Sequence, residues 1–322
     1  MKPFSYARAT DLADALRHLR SGAVPLAGGT DLLGLMKAGI AAPEKVVDIS
    51  GIAELRGWTR TRGKGLRIGA LTPLVDLETA SDLGAQVPII AEALRPAATP
   101  QLRTMGTAGG NLLQQNRCWY FRDEAFPCWR KGGTRCFAID GDNRQHAILG
   151  AEECVAVAPS DLAPALIALD AEVTLRNTRG TRTIPLAALY VAPHGTVRRE
   201  HQLRAGELIT EIRIGETALG RSGAFEKAME RRAWSFATVS VAVSARMKDG
   251  KAREVRVVLG GVAPIPWRAR SAEALLEGRA LDEVACAAAA DAALEAAAPL
   301  RDNGYKVPLA RELVRRALRR IA

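Results

Sequence analysis

Long apolar runs are missing from this 322-residue chain: none approaches the ~18 residues that a membrane-spanning helix needs. The start, Met1-Lys2-Pro3-Phe4-Ser5-Tyr6, lacks the apolar core of a secretory signal, so synthesis and folding in the cytoplasm are expected. Cysteine is scarce. Five residues are too few for a disulfide scaffold, and four of them, Cys118, Cys128, Cys136 and Cys154, fall within 37 residues while Cys286 stands alone. That clustering points to a metal rather than to bridges. Aromatics make up only 5%, and six of the fifteen lie between Trp119 and Phe137, around the cysteines. Single-strand binders interleave stacking aromatics with basic residues along a groove, so this distribution speaks against nucleic acid. The chain has four histidines, and no nucleophile with a base and no carboxylate pair can be assigned, which leaves hydrolytic chemistry without support. His18, His194 and His201 read as surface residues.

What is present is ordinary globular material, 48% hydrophobic and 25% charged, long enough for one large domain or two to three small ones. The net charge of +10 is uneven. Half of it lies in residues 301 to 322, where seven basic residues face Asp302 and Glu312. A solvated basic face is the usual explanation of such a run.

Hydropathy patterning divides the chain. A helix capped at Thr10, with Leu12, Ala15, Leu16 and Leu19 on one face and stopped by Gly22, is followed by strands at Val24 and Val46, making residues 1 to 55 a small β-α-β-type unit. A second unit spans 56 to 184. It holds a hairpin around Arg62-Gly63-Lys64-Gly65, helices from Pro73 and Val87, a cysteine-rich insertion at about 114 to 154, and a strand from Cys154 to Ala158. Ser160 and Asp161 cap a helix, and two strands follow. Beyond Pro185, runs at Glu207 to Ile214, Gly223 to Met229, Thr238 to Met247 and Arg253 to Leu259 suggest an antiparallel sheet, with helices from Leu281 and Pro308 after it. Strands and helices without strict alternation give an α+β class.

Two glycine pairs precede apolar turns: Gly28-Gly29-Thr30 and Gly109-Gly110-Asn111. Each would expose successive backbone N–H groups, a concavity suited to phosphate oxygens. Neither fits the G-x-G-x-x-G or G-x-x-x-x-G-K-[ST] pattern. The cysteine spacings match neither zinc knuckles nor bacterial ferredoxin runs, so four thiolates here can hold zinc or a [4Fe-4S] cluster, with His146 able to replace one. Arg117, Arg122, Arg130, Lys131 and Arg135 flank the set, and cations lower thiol pKa and balance a cluster's negative charge. Cys286 is a small helix-packing residue.

Taken in order, these motifs resemble the FAD-binding (medium) subunits of the molybdenum hydroxylases, the family of xanthine dehydrogenase, carbon monoxide dehydrogenase and aldehyde oxidoreductase. Leu26-Ala27-Gly28-Gly29-Thr30-Asp31-Leu32-Leu33 looks like the first FAD loop and Thr107-Ala108-Gly109-Gly110-Asn111 like the second. Asp161 resembles an acidic contact to the cofactor, Ile209 an apolar side chain by the flavin, and Lys227 a lysine near the ring. The resemblance implies a two-subdomain FAD-binding region and a C-terminal domain over 185 to 322. The roughly forty residues between the second loop and Asp161 resemble the branch with an extra [4Fe-4S] cluster, which implies Cys118, Cys128, Cys136 and Cys154 as its ligands. It also implies a large partner with the molybdenum cofactor, a small [2Fe-2S] partner and an external electron acceptor. Such an assembly can also be exported by a partner's signal. A binding module stabilised by iron-sulfur or zinc, without redox turnover, is the alternative.

Overall fold

Strand pairing sorts the chain into three sheets, and the computed structural model describes residues 1–322. In the first, Ser5–Arg8, Lys45–Asp48 and Val24–Leu26 lie side by side in that order, all parallel. Helix Leu12–Arg20 packs its four predicted apolar residues against Val47 and Ile49. Its cap is Asp11 rather than Thr10, with a carboxylate oxygen accepting from the Asp14 amide at 2.8 Å, and Gly22 turns the chain away at φ +85°.

The second sheet is antiparallel, in the order Trp58–Thr61, Gly65–Gly69, Leu208–Ile214, Glu172–Asn177, Gly180–Pro185. This corrects the sequence reading, which grouped the strand near 208 with the C-terminal sheet. Its Ile212 and Ile214 are fully buried in the same core as Ile68 and Val173, so the expected boundary at 185 cuts through one sheet. Cys154 to Ala158 is not a strand either. It runs without a ladder partner, held where Val155 O accepts from the Ala147 amide and the Ala158 amide donates to Ala263 O.

The third sheet, also antiparallel, runs Trp267–Arg268, Lys251–Gly260, Val239–Lys248, Ser222–Ala228. Strand Val239–Lys248 is buried on both faces. Val239, Val241, Val243 and Ala245 enter the core built with helices Arg270–Leu276, Glu283–Ala292 and Lys306–Arg320. The opposite face carries the small residues Ser240, Ala242 and Ser244, where helix Leu162–Ala168 approaches and Ala168 O accepts a bond from the Ser244 hydroxyl. Cys286 is fully buried between helices.

The insertion has two short helices, Trp119–Arg122 and Phe137–Asp140, tied by an aromatic cluster in which Phe126 meets Tyr120 at 5.1 Å and Phe137 at 5.3 Å. Its far end is anchored on the C-terminal domain. Lys306 Nζ donates to Gln145 O at 2.9 Å and Gly261 O at 2.8 Å, and burial holds this lysine down at about 7. No helix is long and apolar enough to cross a membrane.

Candidate functional site

The two glycine loops touch. A Cβ on Gly28 would sit 1.7 Å from Met105 O, immediately before the second loop, so only glycine allows this approach. Gly29 adopts φ +71°, the left-handed turn that swings successive amides to one side. None of the N–H groups of residues 27 to 32 donates to an acceptor within the chain, leaving a row of free amides. The second loop differs from its sequence reading. Its Ala108 and Gly109 amides donate to Thr72 O and Ala70 O, and its Gly110 and Asn111 amides to Thr107, so it forms a wall more than an amide nest.

Between the loops lie two adjoining cavities that share Thr30, Asp31, Gly110 and Gln114. The larger, about 220 Å³, is lined by Leu26, Ala27, Gly28, Gly29, Leu32, Thr107, Gly109 and Ile209 among the expected residues. The smaller, about 100 Å³, adds Asn111 and Asp161, with Arg117, Trp234 and Phe236. Leu33 faces solvent and Ala108 is wholly buried, so neither lines the cleft. Ser160 Oγ donates to Asn111 Oδ1 at 2.7 Å, which leaves the Asn111 amide nitrogen for the cleft.

Lys227 stands behind Asp161. Its Nζ contacts Asp161 Oδ2 at 2.7 Å, Pro96 O at 3.1 Å and Ser235 O at 3.1 Å, and both side chains are more than 90% buried. Burial pushes the Asp161 carboxyl up, and the lysine opposes it. Lys227 itself does not line either cavity.

Asp31 holds the insertion. Its carboxylate accepts from the Gln115 amide at 2.9 Å and Arg122 Nη2 at 2.8 Å and forms an ion pair with Arg117 Nη2 at 2.9 Å, joining the first glycine loop to the segment that leads into Cys118. Arg117 is a site residue that the sequence reading treated only as a flanking cation. It lies over the Phe236 ring at 4.9 Å, lines the smaller cavity, and its Nε is buried with no partner. Burial holds its pKa below the usual value, against the pull of Asp31. An orphaned guanidinium N–H beside free backbone amides suits an anionic cofactor such as FAD.

The four cysteines occupy one environment. Cys118 packs beside Cys128 and Phe121 in one cluster and beside Cys154 and Trp129 in another. The contact between the Cys136 and Cys154 thiols holds Cys136 down and pushes Cys154 up, while burial raises Cys118 to about 11. His146 Nε2 lies 3.2 Å from Cys118 Sγ, and Arg130 Nε donates to Cys154 Sγ at 3.4 Å. The side chains are not drawn to a common metal-binding point. Their chemistry fits a thiolate-ligated group: four soft donors in a half-buried pocket with N–H groups aimed at sulfur. Of the remaining histidines, His194 is exposed beside Glu152, whereas His201, expected at the surface, packs on Tyr190 and is held down at about 4 by burial.

Residues 2–216 match the family described as the FAD binding domain in molybdopterin dehydrogenase, and residues 224–321 the CO dehydrogenase flavoprotein C-terminal domain. The chain belongs to the FAD-binding medium subunits of the molybdenum hydroxylases. It is 39% identical over 316 residues to the aldehyde oxidoreductase FAD-binding subunit PaoB of Escherichia coli K12, covering 97% of this chain and 96% of that one. With the carbon monoxide dehydrogenase medium chain of Hydrogenophaga pseudoflava it shares 32% identity over 308 residues, 94% of this chain and 90% of the other. A solved structure of carbon monoxide dehydrogenase from that organism superposes with a TM-score of 0.78 at 31% identity, covering 100% of this chain and 98% of its counterpart. Like these relatives, the chain is an oxidoreductase subunit with an FAD-binding domain, which answers the alternative of a non-redox module.

Proposed function

We propose that this chain is the electron-relaying flavin subunit of an aldehyde oxidoreductase of the molybdenum hydroxylase type. In the assembly it stands between a small [2Fe-2S] subunit, which delivers electrons taken at a molybdenum-bearing large subunit, and an external acceptor. The observation that carries this reading is the Asp31 clamp, which fastens a cleft of free backbone amides to a four-cysteine insertion. The 39% identity to a subunit named for aldehyde oxidoreductase supports the choice of substrate class.

The amides of residues 27 to 32 and Arg117 Nε hold the pyrophosphate by N–H donation, since a dinucleotide presents its charge there. Ile209 in the larger cavity would exclude water from the bound cofactor, and Asn111 and Asp161 in the smaller would offer it polar contacts. Lys227 pairs with Asp161 at 2.7 Å and holds it in place. FAD, when bound, exchanges electrons singly with iron-sulfur centres and in pairs with acceptors. Cys118, Cys128, Cys136 and Cys154 hold one [4Fe-4S] cluster, which supplies one-electron transfer when present, and ligation orders an insertion of little regular structure.

An absorbance spectrum of the purified chain with iron, acid-labile sulfide and zinc analysis tests both groups. The expected result is bound FAD with iron and sulfide in equal amounts. Zinc without sulfide would make the cysteine site structural, and a chain without flavin would remove the relay assignment.

A further inference from the structure

Arg130 is a buried cation whose placement the relay reading does not explain. Its side chain is only 5% exposed, its Nε donates to the Cys154 sulfur at 3.4 Å and its Nη1 to Arg198 O at 2.8 Å. The nearest counter-charge is Glu200, at 3.8 Å from Nε. Glu200 is itself fixed by Asn116, through the backbone amide at 3.1 Å and Nδ2 at 2.5 Å, and Asn116 Oδ1 accepts from the Cys118 amide at 3.0 Å. One ion pair therefore reaches two of the four cysteines, the cation at a sulfur and the anion at a backbone.

The neighbouring arginines are committed elsewhere. Arg117 and Arg122 bond Asp31, Arg198 donates to the carbonyls of Trp129 and Gly133, and Arg135 lies over the Phe137 ring at 4.4 Å. Among them Arg130 alone bonds a sulfur. Burying a guanidinium is costly, and packing alone would be served by an apolar side chain.

We propose that Arg130 sets the reduction potential of the cluster held by Cys118, Cys128, Cys136 and Cys154, raising it through its bond to the Cys154 sulfur and its fixed charge. This rests on the four-thiolate reading above. Reduction adds one electron and one negative charge to the cluster; no bond breaks and no proton moves. A donor bond to sulfur and a nearby cation both stabilise the more negative form, more strongly at low dielectric than in water. Glu200 works in the opposite sense, so the pair gives the site a tunable balance.

The test is an anaerobic titration of the full-length purified chain with dithionite and mediators, the reduced cluster being read by electron paramagnetic resonance. At the wild-type midpoint, Arg130→Met should lower the reduced-to-oxidised ratio at least tenfold, 59 mV for a one-electron couple, at unchanged iron and sulfide. Arg130→Lys, which keeps the charge, should shift it less. Glu200→Gln should raise the ratio. An Arg130→Met chain with full iron and sulfide and an unaltered ratio would overturn the proposal. Should that variant fail to retain iron, Glu200→Gln decides: a raised ratio supports the assignment and an unchanged one overturns it. A wild-type chain with no sulfide sinks the cluster reading itself, a result distinct from an unshifted potential.

Discussion

Gly28 is where a single methyl group meets the site most directly. Alanine there collides with a backbone carbonyl at 1.7 Å that no rotamer change can move, so the two loops must separate. Gly28→Ala should cut FAD retention at least tenfold by flavin absorbance while the far-ultraviolet circular dichroism stays close to wild type. Gly34→Ala is the matched control. It lies in helix Leu32–Lys37 with open space around its Cβ, and should leave FAD unchanged or add about 0.5–1 kcal/mol of stability. At Lys227, removal leaves the Asp161 carboxylate buried and unpaired, so Lys227→Ala should cost about 3 kcal/mol in denaturant unfolding, with Asp161→Asn partly rescuing it. His201 predicts a pH dependence. Its folded pKa of about 4 lies below the ordinary value near 6.5, so the folded state favours the neutral ring. That contribution is fully present above about pH 6.5 and is lost as pH falls toward 4, on the order of 3 kcal/mol. His201→Phe should flatten this limb of the stability curve.

At the level of elements, the loops, the first hairpin and the first helix were legible because each is a local signal: a glycine pair, a two-strand run around Gly63, an apolar face closed by Gly22. Strand Leu208–Ile214 was misplaced because its partners, Gly65–Gly69 and Glu172–Asn177, lie far away in sequence, and nothing within the strand names them. Cys154 to Ala158 alternates like a strand, but its backbone bonds go to Ala147 and Ala263 instead of a ladder. The clamp was equally invisible. Asp31 reads as a cofactor contact from its loop, yet its oxygens accept from residues 115 and 122 and pair with Arg117, contacts made only by folding. Coupling between the sites follows. Removing iron with a chelator should loosen residues 115 to 122 and weaken FAD binding severalfold in a fluorescence titration, and Asp31→Asn should weaken FAD binding in the untreated chain while making the chelator's further effect small. Equal FAD affinity before and after chelation in wild type would show the two sites to be independent.

Over the whole molecule the basic tail is folded into the chain's own charge balance. Arg311 pairs with Asp291 at 2.6 Å, Arg315 and Arg319 with Glu283 at 2.8 and 3.2 Å, Arg316 with Glu226 at 3.2 Å, and Arg320 with Glu92 at 2.8 Å. These pairs are partly exposed and individually weak, so they position the last helix and leave little of a free cationic face. The division of labour in the assembly follows from what the cleft's own groups are committed to. Oxidising an aldehyde to an acid removes two electrons and adds an oxygen from water, which calls for a base and an electrophilic centre at the carbonyl. Here Asp161 is tied to Lys227, Asp31 accepts from two donors and pairs with Arg117, and the free amides and the Arg117 guanidinium face the cleft with donors, not with a base. The isolated, FAD-loaded chain should therefore pass electrons from a reduced dye to an artificial acceptor but show no aldehyde-dependent reduction of that acceptor. Co-expression with a molybdenum-bearing large subunit and a [2Fe-2S] small subunit should restore aldehyde oxidation. Gly28→Ala in the reconstituted complex should then suppress delivery to the acceptor while the substrate still reduces the partners' metal centres in a single turnover. Sustained aldehyde turnover by the chain alone, shown by metal analysis to be free of molybdenum, would refute the relay assignment.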